Sequence, residues 1–309
     1  MIAAAWLALL IYNFFEGETL LRDLIDEVRL SRTSLTALDK TWARNPEKSD
    51  VIVSLSTIPS RLPHIAPTLK SLLRQSRAPK RIVLNLPAYS LREKTDYMVP
   101  DFLKALSAVE VIRCDDLGPA TKLTPTLLRE TPSQAIIVVD DDRIYPPTLV
   151  AELEDAAAAA PDTAFAMCGW IVPPDLIDRP TTVWSNLMLK APVPLRARRL
   201  RKPVAIDILM EFAGYIVRPR FFDVAAIQNY AASPPEAFYV DDVWFSAHCR
   251  AAKVVLPARR YNYQPKLRRA FYERTSLAVI NRGPGGDERR NNTLIIKKFA
   301  DKWRVGGKR

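Results

Sequence analysis

Apolar positions run unbroken from Ala135 through Val139 and stop at three carboxylates, Asp140, Asp141 and Asp142. A run of five, mostly β-branched, predicts a strand buried on both faces of a sheet. Pro132 before it and Pro146-Pro147 after it leave too little room for a helix. Similar runs upstream predict strands over 51–55, 81–87 and 109–113, with a helix over 66–75 that puts Leu69, Leu72 and Leu73 on its inner face. Strand, helix, strand at this spacing is a βαβ unit with a parallel pair. Thr124-Pro125 reads as an N-cap and first helical residue opening a short helix through Arg129. Beyond the acids, 151–160 is a strong helix-forming stretch and 164–170 a further strand.

The two ends carry other patterns. Residues 2–15 are almost wholly apolar, but about 14 helical residues span about 21 Å, short of the roughly 30 Å hydrocarbon core. No basic stretch precedes them and no small-residue cleavage site follows, so a signal peptide is not expected. An interfacial anchor, a truncated membrane segment and a helix packed on the domain all remain open. Residues 18–42 follow as an amphipathic helix, and 45–49 as a linker. Residues 190–203 form a basic, proline-broken loop, solvated or facing anionic lipid or acceptor. From Asn281 to Asn292 a glycine-rich charged loop could close over a ligand or stay disordered, and a basic amphipathic helix follows from Leu294 to Trp303. Three segments result: 1–48, apolar and amphipathic helices; 49–275, the main domain, with halves 49–150 and 151–275; and 276–309, loop and basic helix.

At 309 residues the chain can bury a large core, and its net charge of +11 points to an anionic partner. Cys114, Cys168 and Cys249 are few and far apart, with neither disulfide nor zinc spacing, which suits a cytoplasmic location, with contact at the inner face of a membrane left open. With only His64 and His248 present, any metal site must lean on carboxylates. Strand alternation would send Asp140 and Asp142 to one side and Asp141 to the other. Two carboxylates on one side suit Mn²⁺ or Mg²⁺ bridging a diphosphate; the plain alternative is a solvated acidic turn. Thr57, Arg61, Asp116 and Lys122 sit in loops beyond strand ends, where open α/β sheets bind ligands. Arg61 and Lys122 could supply charge to a diphosphate or be ordinary surface cations.

These residues carry a family resemblance. The run from Val51 to Arg61, then Leu72-Leu73-Arg74-Gln75 with Pro79 before the next strand, then the strand ending in Asp140-Asp141-Asp142, resembles a nucleotide-sugar glycosyltransferase of the GT-A type, family 2-like, over about residues 50–260. The resemblance implies an α/β fold, with a GT-A-like nucleotide-binding sheet flanked by helices, an N-terminal helical extension and a basic C-terminal tail. It implies Mn²⁺ or Mg²⁺ held by Asp140 and Asp142. The donor would be a nucleotide-sugar, with a UDP-sugar the first expectation, bound by Thr57, Arg61, Asn85, Asp116, Lys122 and Asp141. Many relatives have an Asp that reads the base where this chain has Asn85, which leaves the base open. The acceptor would be a glycan or glycolipid, with Trp170, Glu211 and Tyr215 as candidate contacts. Tyr239-Val240-Asp241-Asp242 resembles the acidic pair that opens a helix under the acceptor, where Asp242 matches the base of inverting members and Asp241 the acid before it. Stabilisation of a helix N-terminus is the other role such acids can have.

Two other classes stay open. A phosphatase-type hydrolase also places acids after a buried strand, but its signature lies early in the chain and continues into Thr or Val, whereas Ile144 stands two residues past Asp142. A nucleic-acid-binding protein would explain the charge. The basic residues gather in 190–203 and the tail without interleaved aromatics, so no nucleic acid is expected.

Overall fold

The computed structural model describes residues 2–231, 233–277, 281 and 285–307. An eight-stranded sheet forms its centre: β1 (Ile52–Ser56), β2 (Arg81–Pro87), β3 (Val109–Cys114), β4 (Ile136–Val138), β5 (Thr163–Ala166), β6 (Val204–Ala205), β7 (Tyr215–Val217) and β8 (Ala252–Val255). The strands lie in the order β6-β8-β5-β7-β4-β1-β2-β3. Parallel pairing joins β3 to β2, β2 to β1 and β1 to β4, and likewise β5 to β8. β7 runs antiparallel to both β4 and β5 and so joins the two halves. Ile52, Val53, Leu55 and residues 136–138 are fully buried, as parallel strands covered on both faces require. Helices α4 (Ala66–Leu73), α5 (Thr124–Arg129) and α6 (Leu149–Ala159) flank the sheet. The α/β architecture, a mostly parallel sheet flanked by helices, is the one expected.

Local chemistry explains where the elements depart from the sequence expectations. The stretch over 164–170 is two strands. Met167 turns its N–H to Gly214 and its carbonyl to Ala197, so the chain leaves the main sheet after Ala166. Cys168–Trp170 then pairs with Leu195–Arg196 and Ile208–Leu209 in a small separate sheet. The 18–42 stretch is also two elements, α2 (Leu20–Ser31) and α3 (Leu35–Arg44), because Ser34 restarts the helix by accepting the Ala37 N–H at 3.3 Å. Thr124 is the first residue of α5 rather than its cap.

Both ends of the chain are anchored to this core. The Asp39 carboxylate accepts the N–H groups of Ser107 and Ala108 at 3.0 and 2.9 Å, and Trp42 Nε1 donates to the Pro79 carbonyl. In the tail, α9 (Asn291–Lys298) buries Ile295 and Ile296, and Trp303 donates back to the Ile296 carbonyl. Gly306 passes so close to Val172 that a Cβ would lie 2.0 Å from its carbonyl oxygen, so no larger residue fits. The basic stretch 190–203 is partly structural as well. Arg196 donates to the Phe15 carbonyl and Arg198 to that of Glu18, at the C-terminal end of α1 (Ile2–Glu16), where a helix favours cations. Among the described residues no helix is long and apolar enough to cross a membrane.

Candidate active site

β4 ends at Val138, and the chain then turns sharply with Asp141 and Asp142 in the turn. The turn is fixed from several sides. The Asp140 N–H donates to the Tyr145 hydroxyl at 2.8 Å, Thr68 Oγ1 on α4 donates to the Asp141 carbonyl at 2.7 Å, and Ile144 bridges Tyr263. The strand alternation expected for the three acids is therefore not kept. Asp141 and Asp142 share Arg61, whose Nη1 lies 2.9 and 3.4 Å from them, while Asp140 turns instead to Lys122 at 2.5 Å.

Lys122 is the centre of the second cluster. Its ammonium is also 3.0 Å from Glu211 and 3.0 Å from Asp241. Its place is set from β1: Ser54 Oγ donates to the Lys122 carbonyl at 2.6 Å. Asp241 and Asp242 open α8 (Asp241–His248), where the helix N-terminus favours carboxylates. Asp242 Oδ1 accepts the Glu211 N–H at 2.9 Å, and the Tyr215 hydroxyl donates to Glu211 at 3.1 Å. β7 and α8 thereby bring Glu211 and the Asp241-Asp242 pair to the acids at the end of β4.

Both clusters face one cavity of about 450 Å³, within the range of small-ligand sites. Thr57, Arg61, Asp116, Lys122, Asp140, Asp141, Asp142, Glu211, Asp241 and Asp242 all line it. Three candidates do not. Asn85 is fully buried beneath it, donating to Ser54 Oγ, the Lys122 carbonyl and Thr126 Oγ1. Trp170 is packed in the core, and Tyr215 reaches the cavity only through Glu211. Asp116 shapes the rim, accepting the Leu91 and Gly118 N–H groups at 2.6 and 2.8 Å. His248, at the far end of α8, is packed on Trp244 and Phe299 and lines a different cavity.

Arg143, Phe238 and Tyr239 also line the cavity of the two clusters and were not among the expected site residues, although Arg143 adjoins Asp142 and the two aromatics lie within three residues of Asp241. Arg143 lies 3.5 Å from Asp142, with its guanidinium over the Phe212 ring. Arg92 and Asp178 arrive from distant parts of the chain and carry no local signal, whereas Asn281, Arg290 and Asn292 belong to the loop expected to close over a ligand. The predicted glycine-rich loop lies partly outside the described residues. Of what is described, Asn281 donates to the Tyr239 carbonyl at 3.0 Å.

The electrostatics follow from burial and crowding. Burial works against the Lys122 charge, but Asp140, Asp241 and Glu211 outweigh it and hold its pKa well above the usual value. Burial likewise opposes ionisation of Asp140, yet Lys122 brings its pKa down. Burial pushes Glu211 well above the carboxylate range, with Asp241 adding to the shift. Burial, then Asp241, raises Asp242 to about 7. Burial also raises Asp141, against the pull of Arg61.

Among the described residues no group of three or more His, Cys, Asp or Glu side chains is arranged as a metal cage. Mg²⁺ seldom uses one; it is typically held by one or two carboxylates together with substrate phosphates. Asp140 and Asp142 offer hard oxygens on the cavity wall, and the lining has more carboxylates than cations. The donor set fits a divalent ion that enters with an anionic ligand.

No family model matches this chain, and no curated protein matches it. Among solved structures it is similar to the crystal structure of S. aureus TarS 1-349, at 14% sequence identity and a TM-score of 0.42, over 82% of this chain and 71% of that one. At that level the likeness assigns neither activity nor ligand.

Proposed function

We propose that the protein is a metal-dependent glycosyltransferase that moves a sugar, a hexose or related unit, from a nucleotide-sugar to a glycan or glycolipid acceptor. The observation that carries this reading is the meeting of two acidic groups in one cavity, one at a strand end beside Arg61 and Lys122, the other at the start of α8. Asp140 and Asp142 would hold Mn²⁺ or Mg²⁺, which when bound supplies Lewis-acid stabilisation of a leaving diphosphate. Lys122 keeps Asp140 ionised and fixes it relative to Asp241 and Glu211.

Asp242 is the group we assign as base. In an inverting reaction it takes the acceptor hydroxyl proton while that oxygen bonds the anomeric carbon, and the bond to the diphosphate breaks on the opposite face. A carboxylate with a pKa near 7 is matched to this task at neutral pH. A donor-hydrolysis screen across UDP-, GDP- and dTDP-sugars, with and without Mn²⁺, tests the reading. We expect metal-dependent hydrolysis of at least one donor, with a UDP-sugar the first expectation. Failure of every nucleotide diphosphate to bind in the presence of metal would overturn it.

A further inference from the structure

A surface away from the cavity has no explanation in that chemistry. α1 has no charged residue before Glu16, and its large side chains Trp6, Leu7, Leu10, Ile11 and Phe14, which share one side of the helix, are each about half exposed. A contiguous exposed apolar face of this kind marks an interaction surface. A second exposed apolar element lies beside it: α7 (Val183–Met188), with Val183 69% and Trp184 68% exposed and Leu187 and Met188 about half exposed. Arg199 joins the two. Its guanidinium lies 4.4 Å from the centre of the Phe14 ring on α1 and donates to the Asn186 carbonyl on α7 at 2.7 Å. Exposed Lys190 follows α7 in sequence, and exposed Arg201 and Lys202 follow Arg199.

We infer that α1 and α7 form one bipartite docking surface for an anionic lipid bilayer. Laid in the interface, α1 removes the apolar surface of its exposed side from water, with Trp6 suited to the headgroup level. The charge around the patch selects among occupants. A second copy of this chain would bring another set of arginines and lysines against the first, whereas anionic headgroups are complementary to them.

The test uses the full chain in co-sedimentation with phosphatidylcholine vesicles, with and without one-third phosphatidylglycerol. Binding to the anionic vesicles should exceed binding to phosphatidylcholine alone by about ten-fold or more, and weaken in high salt. Trp184→Ser with Leu187→Ser, and separately Trp6→Ser with Leu10→Ser, should each weaken it by about ten-fold or more. Lys190→Glu with Lys202→Glu should remove the preference for anionic lipid. Thermal unfolding and donor hydrolysis in detergent should match the parent protein, because these side chains lie on the surface and outside the cavity; this keeps the result separate from the glycosyltransferase reading. Unchanged binding by the α7 pair, equal binding to both vesicle types, or a dimer abolished by the α7 substitutions in a protein that ignores vesicles would each overturn the inference.

Discussion

The side chains around the cavity divide by how many partners each already has. Arg61 is the most committed: besides Asp141 and Asp142 it donates to Thr275 Oγ1 and to the Tyr272 and Thr275 carbonyls. Removing one member of a buried charge pair typically costs about 3–5 kcal/mol. Arg61→Ala should therefore lower thermal stability clearly as well as weaken donor binding. A large rise in the donor KM with unchanged melting temperature would contradict this. Among the three acids, Asp140→Ala and Asp142→Ala should each abolish transfer and weaken Mn²⁺-dependent nucleotide binding. Asp141 accepts from Thr57 and Arg61, so Asp141→Ala should show as lost stability before lost metal response. Transfer at the parent rate by a folded Asp142→Ala protein would remove the metal assignment. Asp242 has a pKa signature. Burial and Asp241 raise it to about 7, and it accepts a proton only when ionised. The kcat/KM should rise with pH through about 7 and level off above. Asp242→Asn should cut turnover by about 10²-fold or more and lose that limb, with donor binding intact. His248, which burial lowers to about 4 and which packs away from the cavity, should not alter the profile when replaced by Ala.

Among elements, α3 is the clearest case of a small polar contact holding a large one. Asp39 is buried and satisfies two N–H groups at the entrance to β3. Asp39→Ala leaves both without that partner, and should cost about 2–4 kcal/mol in chemical denaturation; a loss under about 0.5 kcal/mol would mean that water replaces it freely. The element level is also where the sequence was most legible. Buried parallel strands are continuous apolar runs, so β1, β2, β3 and β4 could be placed to within a residue or so, whereas the helix start at Asp241 was expected only through the family resemblance. Two of the failures share one cause. Met167 switches hydrogen-bond partners between sheets, and Asp141 leaves the strand path because Thr68 and Arg61 hold it. Neither partner is near in sequence, so local periodicity carries no trace of them. For the same reason Lys122 could be placed near the acids, but its contact with Glu211, 89 positions away, could not be foreseen.

Across the whole molecule, buried carboxyls with raised pKa values make stability depend on pH in one direction. Burial raises Asp23 to about 6 and Asp242 to about 7, and Glu211 lies well above the usual range. In the unfolded chain an Asp titrates near about 3.9. A carboxyl that keeps its proton when folded contributes stability fully present below that value and lost as pH rises through the folded pKa. Asp23, Asp242 and Glu211 therefore each weaken the fold as pH climbs from about 4 towards 7. His248 opposes them: depressed to about 4 by burial, against about 6.5 unfolded, it favours the fold above 6.5 and loses that contribution as pH falls towards 4. Asp140, held low by Lys122 against its burial, contributes above about 3.9 and loses only in stronger acid. Asp141, Glu152 and Asp178 are raised by burial in the same sense as Asp23, Asp242 and Glu211, so several carboxyls stand against one imidazole and decide the sign. The apo protein should melt at a higher temperature at pH 5 than at pH 8. Asp242→Asn should reduce the difference, because an amide has no proton to lose. An equal or higher melting temperature at pH 8 in the parent protein would show that the cavity keeps its carboxylates ionised, and that Asp242 is not poised near neutrality.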